Sequence, residues 1–241
     1  MPKRRGWPSF IMKKTFSKEE KHPFVIYADF ECLCIPTSDT QKPFRHEPCS
    51  YGYVVIDWKK NVLFKNFSHG TDIVGDFLRE IRDLQQPLQQ YLKQNIKPLV
   101  MSEDDEKEFR ECRFCTICSL DLDKEKRVRD HCHLTGVFRG AAHPECNLQR
   151  KLPDRIPVFF HNLKNYDDHI IIKNLTESIF HSQVTIIPSS LEKYIGFFIG
   201  KFAFLDSLSF LPTSLDTLSK NLSSEDKLHF LRQEWPTEDL S

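Results

Sequence analysis

The chain of 241 residues carries 34 Lys and Arg against 34 Asp and Glu, so its formal net charge is zero and no global basic field points to nucleic acid. Hydrophobic residues at 39% and charged residues at 28% are ordinary for a soluble globular protein. The opening MPKRRGWPSF lacks the apolar core of a signal peptide, and no apolar run reaches the length of a membrane span. We therefore expect an intracellular protein that is not secreted and has no membrane partner.

The first half of the chain predicts a loose arm followed by strands. Residues 1–21 are basic and polar, and are expected to form the arm. The apolar run FVIYADFEC from Phe24 predicts a buried central strand. After a predicted loop over 36–48, SYGYVVID and NVLFKNF predict two more strands joined by a charged turn.

Helical patterns follow these strands. Apolar residues at helical spacing over 72–95 predict a helix that Pro87 ends or kinks. SEDDEKEF predicts a short helix with Ser102 as its cap. Late in the chain, IPVFFHNL, VTIIPS, YIGFFIG and KFAFLDSL predict strands. YDDHIIIKNL and SLDTLSKNL predict helices, the second capped by Ser214.

Between these two α/β segments, residues 112–150 concentrate five cysteines and three histidines. A CxxC turn followed by an HxxC turn offers thiolate and imidazole ligands at the spacing of a structural zinc site. The candidate ligands are Cys115, Cys118, His143 and Cys146. Cys112 and Cys115 form a second CxxC pair, so the first pair of ligands has two possible positions. A module this small needs a metal because it cannot bury much core.

Other residues of this segment offer catalytic chemistry. Asp130 can coordinate magnesium through oxygen, and Asn147 offers a second oxygen ligand. His131 can take a proton from water, and Arg139 can hold a phosphate oxygen. A purely structural zinc finger is the alternative interpretation of the same spacing.

The run DHCHLTGVFRGAAHPECN resembles the recombination endonuclease VII family, a zinc-containing branch of the ββα-metal (His-Me finger) nucleases. The resemblance implies that Asp130 and Asn147 bind the catalytic magnesium and that His131 is the general base. It also favours Cys115 and Cys118 as the first zinc pair, with Cys112 as a spare thiol. The chain departs from the family in its HxxC pair, where the phage enzyme has CxxC.

A second group of carboxylates lies outside the zinc segment. Asp29 and Glu31 are two residues apart on a predicted strand, so they point to one face of it. Two carboxylates on an apolar strand need a cationic partner, and a pair of Mg²⁺ or Mn²⁺ ions is the natural one, as in two-metal phosphodiester hydrolysis. In FFHNLKNYDDH, an apolar strand leads into a polar turn and the aromatic-acid pair Tyr166 and Asp167.

Together these motifs resemble the first two exonuclease motifs of protein-primed family B DNA polymerases, DFE followed by HNL and an aromatic-Asp pair. The order of the segments over about 22–222 is similar to that in polymerases of polinton or Maverick transposons and related viruses. The resemblance implies that Asp29, Glu31 and Asp167 bind the catalytic metals, with Asp168 as the alternative to Asp167. It places two further residues at the single-stranded 3′ end of DNA, Asn162 and Tyr166.

These observations predict an α/β protein, an RNase H-like exonuclease domain interrupted by a small zinc-stapled ββα-metal insert. The expected domains are a basic arm, the first exonuclease part, the insert and a truncated second part, at 1–21, 22–101, 102–152 and 153–241. The implied function is 3′–5′ proofreading exonuclease in DNA replication, within a DNA-directed DNA polymerase whose palm lies outside this chain. Implied partners are single-stranded 3′ ends, branched DNA, the rest of the polymerase and a terminal protein. The implied location is the nucleus or a viral replication site.

Two rival functions remain open on the sequence. The third exonuclease motif of the family, a Tyr three residues before an Asp, is not found after Asp206, and Asp206 itself is interpreted as the polar end of a strand. One rival is a stand-alone endonuclease selective for DNA structure, with the α/β part as its scaffold. The other is a catalytically inactive, zinc-dependent DNA-binding remnant.

Overall fold

The fold is that of a computed structural model, which describes residues 22–39, 41, 43–150, 155–165, 167–175, 184–188 and 194–222. The predicted arm at 1–21 and the predicted DNA-binding residue Tyr166 lie outside the described residues. So do Lys151 and Leu152, at the predicted end of the insert.

The described residues form a mixed α/β structure with two sheets. The strands are β1 (Phe24–Pro36), β2 (Phe44–Asp57), β3 (Val62–His69), β4 (Val128–His131), β5 (Phe138–Ala142), β6 (Ile156–Phe160), β7 (Thr185–Pro188), β8 (Tyr194–Ile199) and β9 (Phe202–Asp206). Within the described ranges, seven strands form one sheet in the order β3-β2-β1-β6-β9-β8-β7, and β4 pairs with β5 in a separate hairpin. The predicted strands are all present.

Six α-helices are described alongside these strands. They are α1 (Ile73–Asp83), α2 (Gln85–Asn95), α3 (Glu103–Glu111), α4 (Pro144–Leu148), α5 (Asp167–Asn174) and α6 (Leu215–Lys220). Two 3-10 turns follow β6 and β9, at Leu163–Asn165 and Ser207–Ser209. No helix in the described part of the chain is long and apolar enough to cross a membrane.

The central strand β1 buries one of its two faces. Phe24, Ile26, Ala28 and Phe30 alternate inward, and Phe30 stacks on Phe160 with ring centroids 5.7 Å apart. On the other face, Tyr27, Asp29 and Glu31 are exposed and Val25 is partly buried. β1 pairs in parallel with β6, with Ile26 opposite Val158 and Tyr27 opposite Phe159. Parallel strands present their carboxyl ends at the same edge of a sheet, which is where ligand sites of α/β proteins are built.

The loop predicted over 36–48 is shorter than expected, because β1 continues to Pro36 and β2 begins at Phe44. The two strands meet across a turn in which the Thr37 amide donates to the Pro43 carbonyl at 2.9 Å. Most side chains of this extension are exposed. A ribbon with no buried face needs no apolar alternation, so the periodicity used to predict strands did not reveal it.

The helix predicted over 72–95 is divided in two. α1 ends at Asp83 and α2 begins at Gln85, so Pro87 lies in the first turn of α2. A proline is tolerated there because the first-turn amides have no acceptor within the helix. Tyr91 of α2 donates its hydroxyl to Asp57 Oδ2 at 2.9 Å, which ties the helix to the β2–β3 turn.

Both predicted helix caps are confirmed. Ser102 accepts the Asp105 amide at 3.1 Å, and Asp105 Oδ2 accepts the Ser102 amide at 2.8 Å, which makes a reciprocal capping box at α3. Ser214 accepts the Thr217 amide at 3.2 Å and caps α6.

The chain divides into two compact units. The first comprises residues 1–25, 55–64 and 76–156, and it contains the β4–β5 hairpin and the cysteine cluster. The second comprises 26–54, 65–75 and 157–241, and it contains the carboxylates of the predicted exonuclease site. Each candidate site is therefore built within a single unit.

Candidate active site and metal centre

The second unit brings acidic side chains together near the carboxyl ends of β6 and β9. Asp29 and Glu31 project from the exposed face of β1, as their spacing predicted. Asp167 and Asp168 open α5 and are 2% and 1% exposed. Asp206, the last residue of β9, is also buried. The charges of Asp29, Asp168 and Asp206 all act on Asp167, so the structure brings the predicted carboxylates of β1 and α5 into one neighbourhood.

Three of these carboxyl groups, Asp29, Asp167 and Asp168, have a raised pKa and so hold their protons more tightly than isolated carboxyls would. Burial and the charge of Asp29 raise the pKa of Asp167 to about 7, with further contributions from Asp168 and Asp206. Partial burial and the charge of Glu31 raise the pKa of Asp29, against a hydrogen bond from the Phe30 amide and the charge of His161, which lower it. The buried carboxylates need a cation to ionise together near neutral pH.

Two oxygens in this site have no hydrogen-bond partner. Asp167 Oδ1 and Asp168 Oδ2 are fully buried and accept no hydrogen bond from any described group. A buried carboxylate oxygen without a donor is costly, and a divalent cation is the partner that would satisfy it. The donor set at these strand ends is all carboxylate oxygen, which suits Mg²⁺ or Mn²⁺. Asp168, the alternative to Asp167, shares the same environment.

Asp206 organises the turn after β6. Its Oδ1 accepts the amide of Asn162 at 3.0 Å and that of Leu208 at 3.0 Å, while Oδ2 accepts the amide of Lys164 at 3.3 Å. Asn162 has a left-handed backbone, with φ of 77°. The structural role of Asp206 agrees with its interpretation as a polar strand end. Its link to the turn that carries Asn162 was not visible in the sequence, because residues 162 and 206 are distant along the chain.

His161 fixes the same turn from the other side. Its Nε2 lies 2.9 Å from the Thr213 carbonyl and its Nδ1 lies 3.0 Å from Ser207 Oγ. Because a carbonyl only accepts, Nε2 carries a hydrogen. Ser207 Oγ also donates to the Phe160 carbonyl at 3.0 Å, so the ends of β6 and β9 are joined through side chains.

Exposed aromatic rings lie beside the carboxylates. Tyr27, two residues before Asp29 on the same face of β1, is 48% exposed. Its ring is stacked with that of Phe159, with centroids 6.0 Å apart and an interplanar angle of 26°. Phe210 adds an edge contact to Phe159 at 6.3 Å and is itself exposed. This strip of Tyr27, Phe159 and Phe210 forms an apolar surface next to the acids.

The first unit contains the cysteine cluster. Ligand atoms of Cys115, Cys118, His143 and Cys146 all lie within 4.8 Å of one another. Of the described side chains, only these four bring three or more Cys, His, Asp or Glu ligand atoms together in this way. Cys112 is placed elsewhere, since its Sγ donates to the Phe114 carbonyl at 3.0 Å. The cluster therefore uses Cys115 and Cys118 as its first pair.

The distances in the cluster fit zinc. Tetrahedral Zn–S and Zn–N bonds of usual length place sulfur and nitrogen about 3.6 Å apart. His143 Nδ1 lies 3.4 Å from Cys118 Sγ and 3.9 Å from Cys146 Sγ. His143 Nε2 lies 2.9 Å from the Asp121 carbonyl, so that nitrogen donates and Nδ1 is left to bind a metal. The Cys₃His group can hold one zinc ion.

The thiols of the cluster are electrostatically unequal. Burial raises the pKa of Cys115, but amide hydrogen bonds from Cys118, His143 and Ile117 outweigh it and lower the pKa to about 7. Burial and the nearby sulfurs of Cys118 and Cys115 raise the pKa of Cys146 to about 12. Three adjacent thiolates repel one another, so all three ionise together only around a cation.

The backbone around the first cysteine pair is docked on β5. Thr116 donates its amide and its hydroxyl to the Ala141 carbonyl, at 3.0 and 3.2 Å. The opposing Gly140 has φ of 132°, and a Cβ built there would lie 2.3 Å from Thr116 Cγ2. Only glycine fits this close approach. Phe109, Ile117, Leu122 and Phe138 supply the small apolar core beneath the cluster.

The residues predicted for the insert's nuclease chemistry lie on a hairpin followed by a helix. Asp130 and His131 are on β4, where the pairing with β5 is interrupted by a bulge. Arg139 is on β5, and Asn147 is on α4 directly after the zinc ligand Cys146. The Asp130 carboxylate is paired with Arg150 Nη1. The magnesium site expected at Asp130 and Asn147 stays a prediction, and in this structure the charge of Asp130 is matched by Arg150.

Comparison with known proteins adds one finding. Residues 149–230, about a third of the chain, match the family model described as DNA polymerase type B, organellar and viral. The match includes β6, α5 and β9, which carry Asp167 and Asp206. The match supports a family B DNA polymerase fragment over these residues. No curated protein and no solved structure was found to match the chain.

Proposed function

We propose that this chain carries the 3′–5′ exonuclease region of a family B DNA polymerase, of the protein-primed kind, with a zinc-bound insert. The buried Asp167 carboxylate carries the proposal, because one of its oxygens has no hydrogen-bond partner among the described residues and because it lies in the field of Asp29. Such a site favours the binding of divalent metal ions over pairing with a Lys or Arg side chain. The family match over 149–230 covers Asp167 but not Asp29.

The sheet order supports an RNase H-like architecture for this region. The five strands β3-β2-β1-β6-β9 follow one another in space, with β1 beside β6 in parallel. In that arrangement the DFE motif, at residues 29–31, lies partway along β1 just beyond the residues that pair with β6, and the HNL motif follows β6. This register supports a position of the two motifs close together, as the proposed activity requires.

In the proposed reaction, Asp29, Glu31 and Asp167 would hold the catalytic metals. Divalent cations bound there would supply a hydroxide nucleophile near neutral pH and stabilise charge on the leaving oxygen. The turn held by Asp206 and His161 would position Asn162 beside the terminal nucleotide. The exposed strip of Tyr27, Phe159 and Phe210 would stack the bases of the single strand. The rest of the polymerase and a terminal protein would be its partners in replication.

The test is a polarity assay on single-stranded DNA with zinc-loaded protein and Mg²⁺ or Mn²⁺. DNA labelled at its 5′ end should shorten as a ladder, and DNA labelled at its 3′ end should release labelled mononucleotides first. Asp29→Asn and Asp167→Asn should abolish both signals. Asp104→Asn, which removes an exposed acid from α3, is the matched control and should trim normally. Trimming that survives both active-site substitutions would refute the assignment.

A zinc-dependent DNA-binding role for the insert is a second candidate function. The Cys₃His geometry favours it, since a zinc-stapled module with a nearby hairpin carrying Arg139 can present cations to phosphate. Binding by the full chain should then fall steeply with salt. Loss of that binding on zinc removal, with trimming intact, would assign DNA binding to the insert.

A further inference from the structure

The ββα element of the first unit, formed by β4, β5 and α4, contains a buried ion pair. Asp130 lies on β4 immediately before His131, and its side chain is 3% exposed. Its partner Arg150 follows α4 and is 20% exposed. The Arg150 amide donates to the Asn147 carbonyl at 3.1 Å, so the guanidinium extends from the end of the helix back to the hairpin. The pair ties α4 to β4.

The Asp130 carboxylate already has a cationic partner. Mg²⁺ requires near-octahedral oxygen coordination and usually keeps several of its waters. To bind Asp130, the hydrated ion would have to displace the guanidinium of Arg150, which already supplies the opposite charge.

We infer that Arg150 is the resident counter-cation of Asp130, and that the ββα element is stabilised by this pair and by zinc instead of binding a catalytic metal. His131 and Asn147 then have no metal beside them, and the insert does not cut DNA. The resemblance to His-Me finger nucleases is retained in the fold of the element but not in its reaction. This inference concerns the first unit only and is independent of the exonuclease proposal.

The ion pair makes a prediction about stability. Removal of one partner leaves the other as an unpaired buried charge, so Arg150→Gln and Asp130→Asn should each lower the Tm of the zinc-loaded chain by on the order of 10 °C. The double variant should recover most of that loss, since neither charge remains. Arg82→Gln removes an exposed arginine paired with Asp83 and should leave the Tm nearly unchanged. Millimolar Mg²⁺ should not change the Tm difference between wild type and Asp130→Asn.

A cleavage assay tests the same inference without depending on folding of the variants. The full chain with Asp29→Asn, which silences the proposed trimming site, is incubated with a four-way junction and with supercoiled plasmid in Mg²⁺ or Mn²⁺. No internal cuts or nicks should form. Internal cuts that disappear in the further variant His131→Ala would overturn the inference. Additive Tm losses in the double variant, or a Mg²⁺-induced Tm rise that requires Asp130, would overturn it as well.

Discussion

Asp167→Asn should stabilise the metal-free protein while it abolishes trimming. The pKa of Asp167 is raised from 3.8 to about 7 by burial and by Asp29. A shift of this size corresponds to about 4 kcal/mol between the two protonation states. Asp29 is exposed to water, which screens part of the interaction, so we expect a gain of about 2 to 4 kcal/mol at pH 8. For a chain of this length that is roughly 5–15 °C in Tm.

The sign of the pH dependence distinguishes this electrostatic origin from a packing effect. The pKa of Asp167 is higher in the folded chain than in the unfolded chain, so the ionised side chain destabilises the folded wild type. This destabilisation is absent below about pH 4 and develops fully as the pH rises through about 7. The gain from Asp167→Asn should therefore be near zero at pH 4, grow between pH 4 and 7, and level off above. This gain is measured by thermal unfolding of both proteins at each pH, in buffers treated with EDTA and with the same amount of zinc restored to each. A gain that is the same at every pH, or a loss at pH 8, would refute this reasoning.

Three further predictions follow from the described contacts. Cys118→Ser removes one ligand of the Cys₃His cluster, so the chain should bind zinc more weakly and unfold earlier, as measured by zinc titration with a chromophoric chelator; unchanged zinc affinity would contradict the ligand assignment. Gly140→Ala places a Cβ against Thr116 at a left-handed φ and should lower stability by roughly 1–3 kcal/mol, measured by urea unfolding, whereas a neutral result would show that the close approach is absent. Tyr27→Ala should raise the KM for single-stranded DNA by ~5–100-fold and leave kcat within a few-fold, because one base loses its stacking surface; a fall in kcat alone would place Tyr27 in the chemistry instead.

Local chemistry was sufficient to predict most elements of this chain. The two serine caps, the proline that divides the helix at 72–95 and the apolar strands each follow from interactions within a few residues. The Cys₃His cluster was also predictable, because the CxxC and HxxC spacings encode ligand geometry directly. The extension of β1 and β2 into the predicted loop at 36–48 was missed because neither face of that extension is buried.

Contacts between distant residues could not be predicted in this way. The three amides that Asp206 accepts, and the pairing of Asp130 with Arg150, join positions whose proximity depends on tertiary structure. Family resemblance placed a magnesium ligand at Asp130, but it carried no information on Arg150. A motif specifies which side chains are present, whereas burial and charge pairing decide whether they can bind a metal.

The most direct test measures the binding of Mn²⁺ to the zinc-loaded chain. Electron paramagnetic resonance gives the concentration of free Mn²⁺, and therefore the amount that is bound. The proposed catalytic cations are bound at Asp29, Glu31 and Asp167, and none is bound at Asp130. We therefore predict that Asp29→Asn and Asp167→Asn each weaken Mn²⁺ binding strongly, while Asp130→Asn leaves it unchanged. Mn²⁺ binding that is unaffected by the first two substitutions, or lost with Asp130→Asn, would contradict it.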